Sequence, residues 1–218
     1  MFNPMVWRLI WQAAGETLYM VGVAVVLAEV VGLPLGIILV TTERGHILEN
    51  PLVNRVLATI INIGRSIPFI ILMVAIIPFT RALVGTSIGT TAAMVPLTVA
   101  AIPFVARLVE TALKEVDGGV VEAALALGAS PFQIIWKVLI PEALPSLVSG
   151  VTITAVNLIG YSAMAGAVGG GGLGDLAVRY GYQRFRTDIM LATVIILIVL
   201  VQAMQSLGDW ASRSLSKK

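Results

Sequence analysis

The sequence predicts an all-α protein, a polytopic transmembrane helical bundle. Of its 218 residues, 58% are hydrophobic and 12% are charged, whereas a soluble domain carries about 45–50% apolar and about 25% charged residues. So few charges leave too little polar surface to cover a soluble fold of this size. The apolar residues form five continuous runs and do not alternate with polar ones, which favours membrane-spanning helices over a β-barrel.

The five runs are the expected membrane spans. Each is close to the ~20 residues that a helix needs to cross ~30 Å of hydrocarbon. Ahead of the first run, residues 1–16 carry Trp7 and Trp11 beside Arg8, which predicts a short helix at the membrane interface. We expect one membrane domain over residues 1–218, with spans at 17–40, 56–79, 87–106, 143–168 and 189–207.

Basic residues predict the orientation. Five spans put the termini on opposite sides, and eight of the 14 Lys and Arg residues lie on one side and five on the other, with Arg65 inside the second span. Because cytoplasmic loops carry the basic excess, we expect the N-terminus outside and the C-terminus in the cytoplasm. Arg179, Arg184 and Arg186 do not fit this rule, because they lie in the loop between the last two spans, on the side expected to be outside.

Two charged residues lie inside expected spans, Glu29 in the first and Arg65 in the second. A charge at the bilayer centre costs ~2.5–3.5 kcal/mol on insertion scales. Arg65 therefore either snorkels inward or pairs with Glu29, and the alternative for Glu29 is a protonated side chain that faces a neighbouring helix. On the first span, Ala28, Gly32 and Gly36 form a face of small residues that predicts close helix packing.

Composition excludes several classes of function. The chain has no cysteine and one histidine, His46, which leaves little room for metal sites or for catalysis by thiol or imidazole. A net charge of +2 without a basic and aromatic cluster argues against nucleic-acid binding. We therefore expect no catalytic residue, metal or cofactor in this chain. The glycine run at 169–172 lacks the Lys and Ser/Thr of a phosphate-binding loop. It predicts either a flexible outer end of the fourth span, near a gate, or a plain turn.

The segment between the third and fourth spans, residues 107–142, predicts a cytoplasmic hairpin of two short helices. Strong helix formers indicate the first helix at 120–127, with Gly128 as the left-handed residue that follows it. Such a hairpin is either a docking element for another protein or a surface element without a partner. The second helix is expected at 131–139, with a capping box and a terminating proline that involve Ser130, Pro131, Gln133 and Pro141.

Polar residues on the fourth span mark a candidate translocation face. Polar groups within hydrocarbon usually face protein or water, and helical spacing places several of them on one side. Hydrogen bonding between helices is the alternative interpretation. The residues that we expect to line a pore or its outer gate are Thr154, Asn157, Tyr161, Ser162, Met164 and Gly166.

The hairpin resembles the EAA loop of importer-type ABC permeases. The family pattern is E-A-A, three residues, G, nine residues and I-x-L-P, and this chain matches it at 122–124, Gly128 and 138–141. Two positions depart from the pattern, with Val138 for Ile and Ile140 for Leu, and both keep the apolar character. More narrowly, the chain resembles methionine-importer permeases at residues 65–71, 77–81, 84–89, 95–99, 160–164 and 172–174.

The resemblance implies a type I importer fold and a homodimer in the bacterial inner membrane that moves methionine, in its L-form and as a second candidate its D-form, by alternating access. It implies two separate cytoplasmic ATPase subunits, and a substrate-binding lipoprotein or periplasmic binding protein outside. It also puts the hairpin on the cytoplasmic side, in agreement with the basic count. The ATPase-coupling residues that it implies are Glu122, Ala123, Ala124, Gly128, Ser130, Pro131 and Pro141.

Other functions stay open at this point. Nothing in composition or spacing selects methionine over another small amino acid. An uncoupled channel has no need of a docking hairpin, and a membrane-embedded enzyme would need a cluster of His, Asp or Glu that the spans lack. The three outer arginines fit contact with lipid headgroups and contact with acidic residues of a delivery protein equally well.

Overall fold

The computed structural model describes residues 4–216, and these fold into α-helices joined by short turns. Four helices are long and apolar enough to cross a membrane, and a bent pair makes a fifth span if it is counted as one. The helices are α1 (Pro4–Thr41), α2 (Pro51–Ser66), α3 (Phe69–Ala75), α4 (Ile77–Val84), α5 (Thr90–Lys114), α6 (Gly118–Ala126), α7 (Pro131–Gly166), α8 (Gly172–Leu176) with its π-helical continuation Ala177–Tyr182, and α9 (Thr187–Leu215).

The contact between α1 and α5 lies at the centre of the bundle. A Cβ atom built on Gly32 would lie 2.6 Å from Cγ1 of Val105, and one built on Gly36 would lie 2.5 Å from Cβ of Val109. The close packing predicted for this small-residue face is therefore confirmed. Helix α7 packs against both α1 and α5, and α9 packs against α7.

Helix α1 runs without a break from Pro4 to Thr41, so the short helix expected at 1–16 is instead, in the described residues, the first part of a long helix. Its first turns belong to the bundle, because Ile10 packs in a cluster with Leu173 of α8 and Ile189 of α9. Residues 1–3 lie outside the described part of the chain, as do Lys217 and Lys218 of the basic count.

The second expected span, 56–79, is broken. Helices α2 and α3 meet at a bend of 99°. The cause is Pro68, because the residue before a proline avoids the helical region, and Ile67 is extended with φ −83° and ψ 120°. Pro78 lies in the first turn of α4. Three short helices therefore occupy the region where one straight span was expected.

The hypothesis of an ion pair between Glu29 and Arg65 is wrong. No ion pair joins these two side chains among the residues that the structure describes. Arg65 is exposed in the last turn of α2, where a positive charge interacts favourably with the helix dipole.

Pro141 does not end a helix, because the second hairpin helix and the fourth expected span form one continuous helix, α7. In a regular α-helix, the ring of a proline clashes with the carbonyl four residues back. Here Ile135–Leu139 forms a wider π-helical turn, in which the Ile140 N–H donates to the carbonyl of Ile135. This turn accommodates the proline, and the expected stop at residue 141 is wrong.

A methyl group added at Gly36 tests the contact between α1 and α5. Gly36→Ala should lower the melting temperature, because overpacking typically costs about 1–3 kcal/mol. The control is Gly22→Ala on the same helix, where nothing lies within 4 Å of the added Cβ and where Ala favours the helix by up to about 1 kcal/mol. Thermal unfolding of the purified protein in detergent measures both. Equal melting temperatures would contradict the close approach.

Candidate functional site

The turn of the hairpin has the geometry that its sequence predicts. Gly128 follows α6 with φ 80°, in the left-handed region. Its N–H donates to the carbonyl of Leu125 at 2.9 Å, and the N–H of Ala129 donates to the carbonyl of Ala124 at 3.1 Å. This pair of bonds is a Schellman motif, which satisfies the last carbonyls of α6. The hairpin therefore turns sharply at a fixed residue.

Two reciprocal hydrogen bonds cap the start of α7. The N–H of Gln133 donates to Oγ of Ser130, and the N–H of Ser130 donates to Oε1 of Gln133 at 2.9 Å. Pro131 occupies the first turn, where its missing N–H costs nothing. The predicted capping box is present, so both ends of the turn are held by local hydrogen bonds.

One side of the hairpin is open. Val121 and Ala124 of α6 pack against the core, but α6 contributes no fully buried residue. The expected coupling residues share this exposure: Glu122, Ala123, Gly128, Ser130 and Pro141 are exposed, and Ala124 and Pro131 are half-buried.

The sequence did not lead us to predict three large, exposed apolar side chains at the hairpin. Leu127 is 88% exposed, Phe132 is 70% exposed and Trp136 is 54% exposed. The two rings lie one helical turn apart on α7 with centroids 6.1 Å from each other. Exposed apolar residues that lie together mark contact sites. The signal was the i, i+4 spacing of the two aromatic residues, directly after a predicted N-cap.

Helix α7 separates the candidate pore residues, which the sequence had placed on one face. Thr154, Ser162 and Gly166 are buried inside the subunit. The hydroxyl of Thr154 donates to the carbonyl of Gly150 at 2.9 Å, and that of Ser162 donates to the carbonyl of Ile159 at 2.7 Å. These hydroxyls are satisfied within their own helix and do not line an open surface of the chain.

The opposite side of α7 is open. Asn157, Gly160 and Met164 are exposed there, at a spacing of three and four residues. Tyr161 lies at the border, half-buried, with its ring stacked on Phe69 of α3 at a centroid distance of 4.7 Å. This exposed stripe is apolar except for one amide, so it suits a second protein surface or a passing apolar solute better than bulk water.

The glycine run on the other end of α7 is a turn held against its neighbours. Glu16 of α1 accepts a hydrogen bond from the N–H of Gly172 at 2.9 Å, and Oγ1 of Thr17 accepts one from the N–H of Leu173 at 2.9 Å. A Cβ built on Gly172 would lie 2.6 Å from the same Thr17 hydroxyl. Of the two interpretations from sequence, the turn fits these contacts and the flexible end does not.

Two of the three arginines between the last spans are neutralised by the chain itself. Arg179 lies 2.6 Å from Asp175, and Arg186 lies 2.7 Å from Asp188. Arg184 lies 4.5 Å from the centroid of the Tyr180 ring, a cation–π contact.

Comparison with known proteins places this arrangement in a family. Residues 32–217 match the family described as "Binding-protein-dependent transport system inner membrane component". The chain is 60% identical over 201 residues to a Vibrio cholerae protein named "Probable D-methionine transport system permease protein MetI", covering 92% of this chain and 89% of that protein. It is 46% identical over 209 residues to the "Methionine import system permease protein MetP" of Bacillus subtilis, covering 96% and 94%.

A solved structure agrees with the sequence relatives. A chain from inward facing conformations of the MetNI methionine ABC transporter superposes with a TM-score of 0.97 at 50% identity, and all of both chains is covered. The fold class predicted from the sequence, the helical bundle of a type I ABC importer permease, is confirmed. The chain belongs to the family of inner membrane components of binding-protein-dependent transport systems.

Proposed function

We propose that this chain is the membrane-spanning permease subunit of an ATP-driven methionine importer. Two copies form the translocation pathway, two separate ATPase subunits dock from the cytoplasm, and a substrate-binding protein delivers the amino acid from outside. The relatives named for methionine transport, at 60% and 46% identity over nearly the whole chain, support the substrate. The MetNI chain supports an assembly with separate subunits.

The observation that carries this proposal is the exposed hairpin. Its apolar side chains at Leu127, Phe132 and Trp136 suit a groove on another protein, since a helix laid into a groove is a common recognition mode. The hairpin is joined to α5 by a short turn at residues 115–117 and contains the start of α7. An ATPase that moves the hairpin therefore acts on α7 directly and on α5 through that turn.

The exposed side of α7 is the proposed lining of the pathway. Asn157, Tyr161 and Met164 lie there, and a polarisable thioether suits a gate that must adapt to its surroundings. Thr154, Ser162 and Gly166, named from the sequence, form its buried support.

The transport cycle follows from two states that bind substrate differently. ATP binding brings the two ATPase subunits together, and with them the hairpins of the two permease copies. This movement opens the pathway outward, and hydrolysis returns it to the inward state. Coupling requires only that ATP and substrate favour different states. In this scheme the hairpin lies in the cytoplasm, the N-terminus outside and the C-terminus inside, as the basic residues favour.

Substrate identity is tested by reconstituted uptake. We expect the complex with its own ATPase and binding protein, in proteoliposomes, to accumulate labelled L-methionine only with ATP. Unlabelled L-methionine should compete fully and leucine should not compete, and the extent of competition by D-methionine measures the stereospecificity. Competition by leucine equal to that by methionine would indicate a permease for other small amino acids. Uptake that does not depend on ATP would indicate a channel.

ATPase docking is tested at the tip of the hairpin. Leu127→Asp places a charge where we expect an apolar contact, and loss of an interface anchor typically costs about 2 kcal/mol or more. Co-purification of the ATPase subunit should therefore fall at least about tenfold. The control is Leu48→Asp, an exposed leucine in the turn between α1 and α2. A full yield of ATPase with Leu127→Asp would contradict docking at this tip.

The pathway is tested on the two sides of α7. Asn157→Leu removes the amide from the exposed side and should reduce uptake about tenfold, the equivalent of roughly 1.4 kcal/mol, without loss of assembly. Ser162→Ala alters the buried side and should leave uptake unchanged, because its hydroxyl bonds only within the helix. If both variants transport like the unmodified chain, Asn157 does not lie in the pathway.

A further inference from the structure

A chain of polar side chains lies at the end of α5 that enters the hairpin. Arg107, Glu110 and Lys114 are spaced three and four residues apart and therefore share one face of the helix. Glu110 is 7% exposed, and its carboxylate contacts both neighbours: the guanidinium of Arg107 and, at 3.0 Å, Nζ of Lys114. Because a buried carboxylate needs partners, Glu110 holds both cations in place.

This polar chain reaches two other parts of the molecule. Nζ of Lys114 lies 2.8 Å from Oε2 of Glu43, in the turn between α1 and α2. The guanidinium of Arg107 donates to Oδ1 of Asn62 in α2 at 2.7 Å. The end of α5 is thus joined by charged or charge-assisted contacts to α2 and to the turn that precedes α2.

The hairpin and that turn face each other across a cavity of about 430 Å³, lined by Glu43 and His46 of the turn and by Val121 and Glu122 of α6. Apolar contact between the two parts is limited to partly buried side chains, because Ile47 and Val121 only partly bury themselves where they pack against the core. The ion pair between Lys114 and Glu43 crosses at the base of the hairpin, where α5 ends.

The neighbouring groups leave this pair undisturbed. Burial lowers the pKa of His46, opposed by Glu43 and assisted by Lys114, so that the imidazole is neutral at neutral pH and does not compete with Lys114 for Glu43. Both members of the pair are nearly half exposed, and such pairs contribute little to stability. The importance of this ion pair therefore lies in the two parts of the molecule that it joins and not in its contribution to stability.

We propose that Lys114 and Glu43 are positioning residues for energy coupling, which carry the movement of the hairpin from α5 to the turn between α1 and α2. The inference rests on the proposed function and deepens it. All of α1, α2 and α5 then move with the hairpin as one unit, and α7 follows through its own continuity with the hairpin. Without the pair, the ATPase would still dock and hydrolyse ATP, and α5 would still contact α1 by packing and α2 through Arg107, but the turn between α1 and α2 would no longer follow the end of α5.

The test compares uptake with hydrolysis in proteoliposomes that contain the whole complex. The variants are Lys114→Met, Glu43→Gln and the double variant. Lys114→Met leaves Glu110 paired with Arg107, so no buried carboxylate is left alone. We expect the melting temperature and ATPase yield to be unchanged, and the ATP hydrolysed per methionine imported to rise about fivefold or more. The double variant should match Lys114→Met, and Lys114→Arg, which keeps the charge, should restore coupling.

The control is Asp209→Asn, which breaks the contact between Asp209 and Arg213 at 4.0 Å on α9 and should leave coupling unchanged. An unchanged ratio in both single variants overturns the inference, and so does a double variant whose effect is the sum of the two. If Lys114→Met does not assemble, Glu43→Gln decides alone. Failure of the unmodified complex to import methionine with ATP would instead overturn the proposed function.

Discussion

The close approach of α1 to α5 is the contact on which the rest of the structure depends. Lipid is as apolar as a leucine side chain, so helices in a membrane associate by tight packing and not by escape from water. Gly32 and Gly36 admit Val105 and Val109 to distances that any side chain would forbid. Because α5 leads to the hairpin and α1 leads to the turn that holds Glu43, this packing also sets which polar side chains meet at that end of the bundle.

A single chain leaves two surfaces incomplete. One is the hairpin, where helix capping fixes a turn but α6 has no fully buried residue. The other is the side of α7 that carries Asn157 and Met164, opposite a side that is fully packed. Helix α7 takes part in both surfaces, since it begins in the hairpin and carries Asn157 and Met164 further along. Whatever covers one of them is therefore connected to the other along a single helix.

Part of this structure was predictable from the sequence, because it follows from local rules. Gly128 and Ser130 were identified because helix caps depend on neighbouring residues alone, and the apolar runs because length and hydrophobicity decide spanning. The bend at Pro68 was not predicted, and the helix end predicted at Pro141 is wrong. A proline either bends a helix or is accommodated, and the backbone of the preceding turn decides which. Polarity indicated that α7 avoids lipid, but it did not distinguish the buried Thr154 from the exposed Asn157. Leu127 was missed because an apolar residue is ordinarily expected to be buried.

The length of α7 has a mechanical consequence. At 36 residues and 1.5 Å per residue, the helix is a rod about 54 Å long. Its wide turn at Ile135–Leu139 lies near one end, so most of the length of the helix lies beyond this turn. Tilting such a rod by about 5° about its centre displaces each end by about 2 Å. A displacement on that scale matches the sub-turn helix shifts by which packed interfaces switch, so a small angular input at one face of the membrane is sufficient to alter packing at the other.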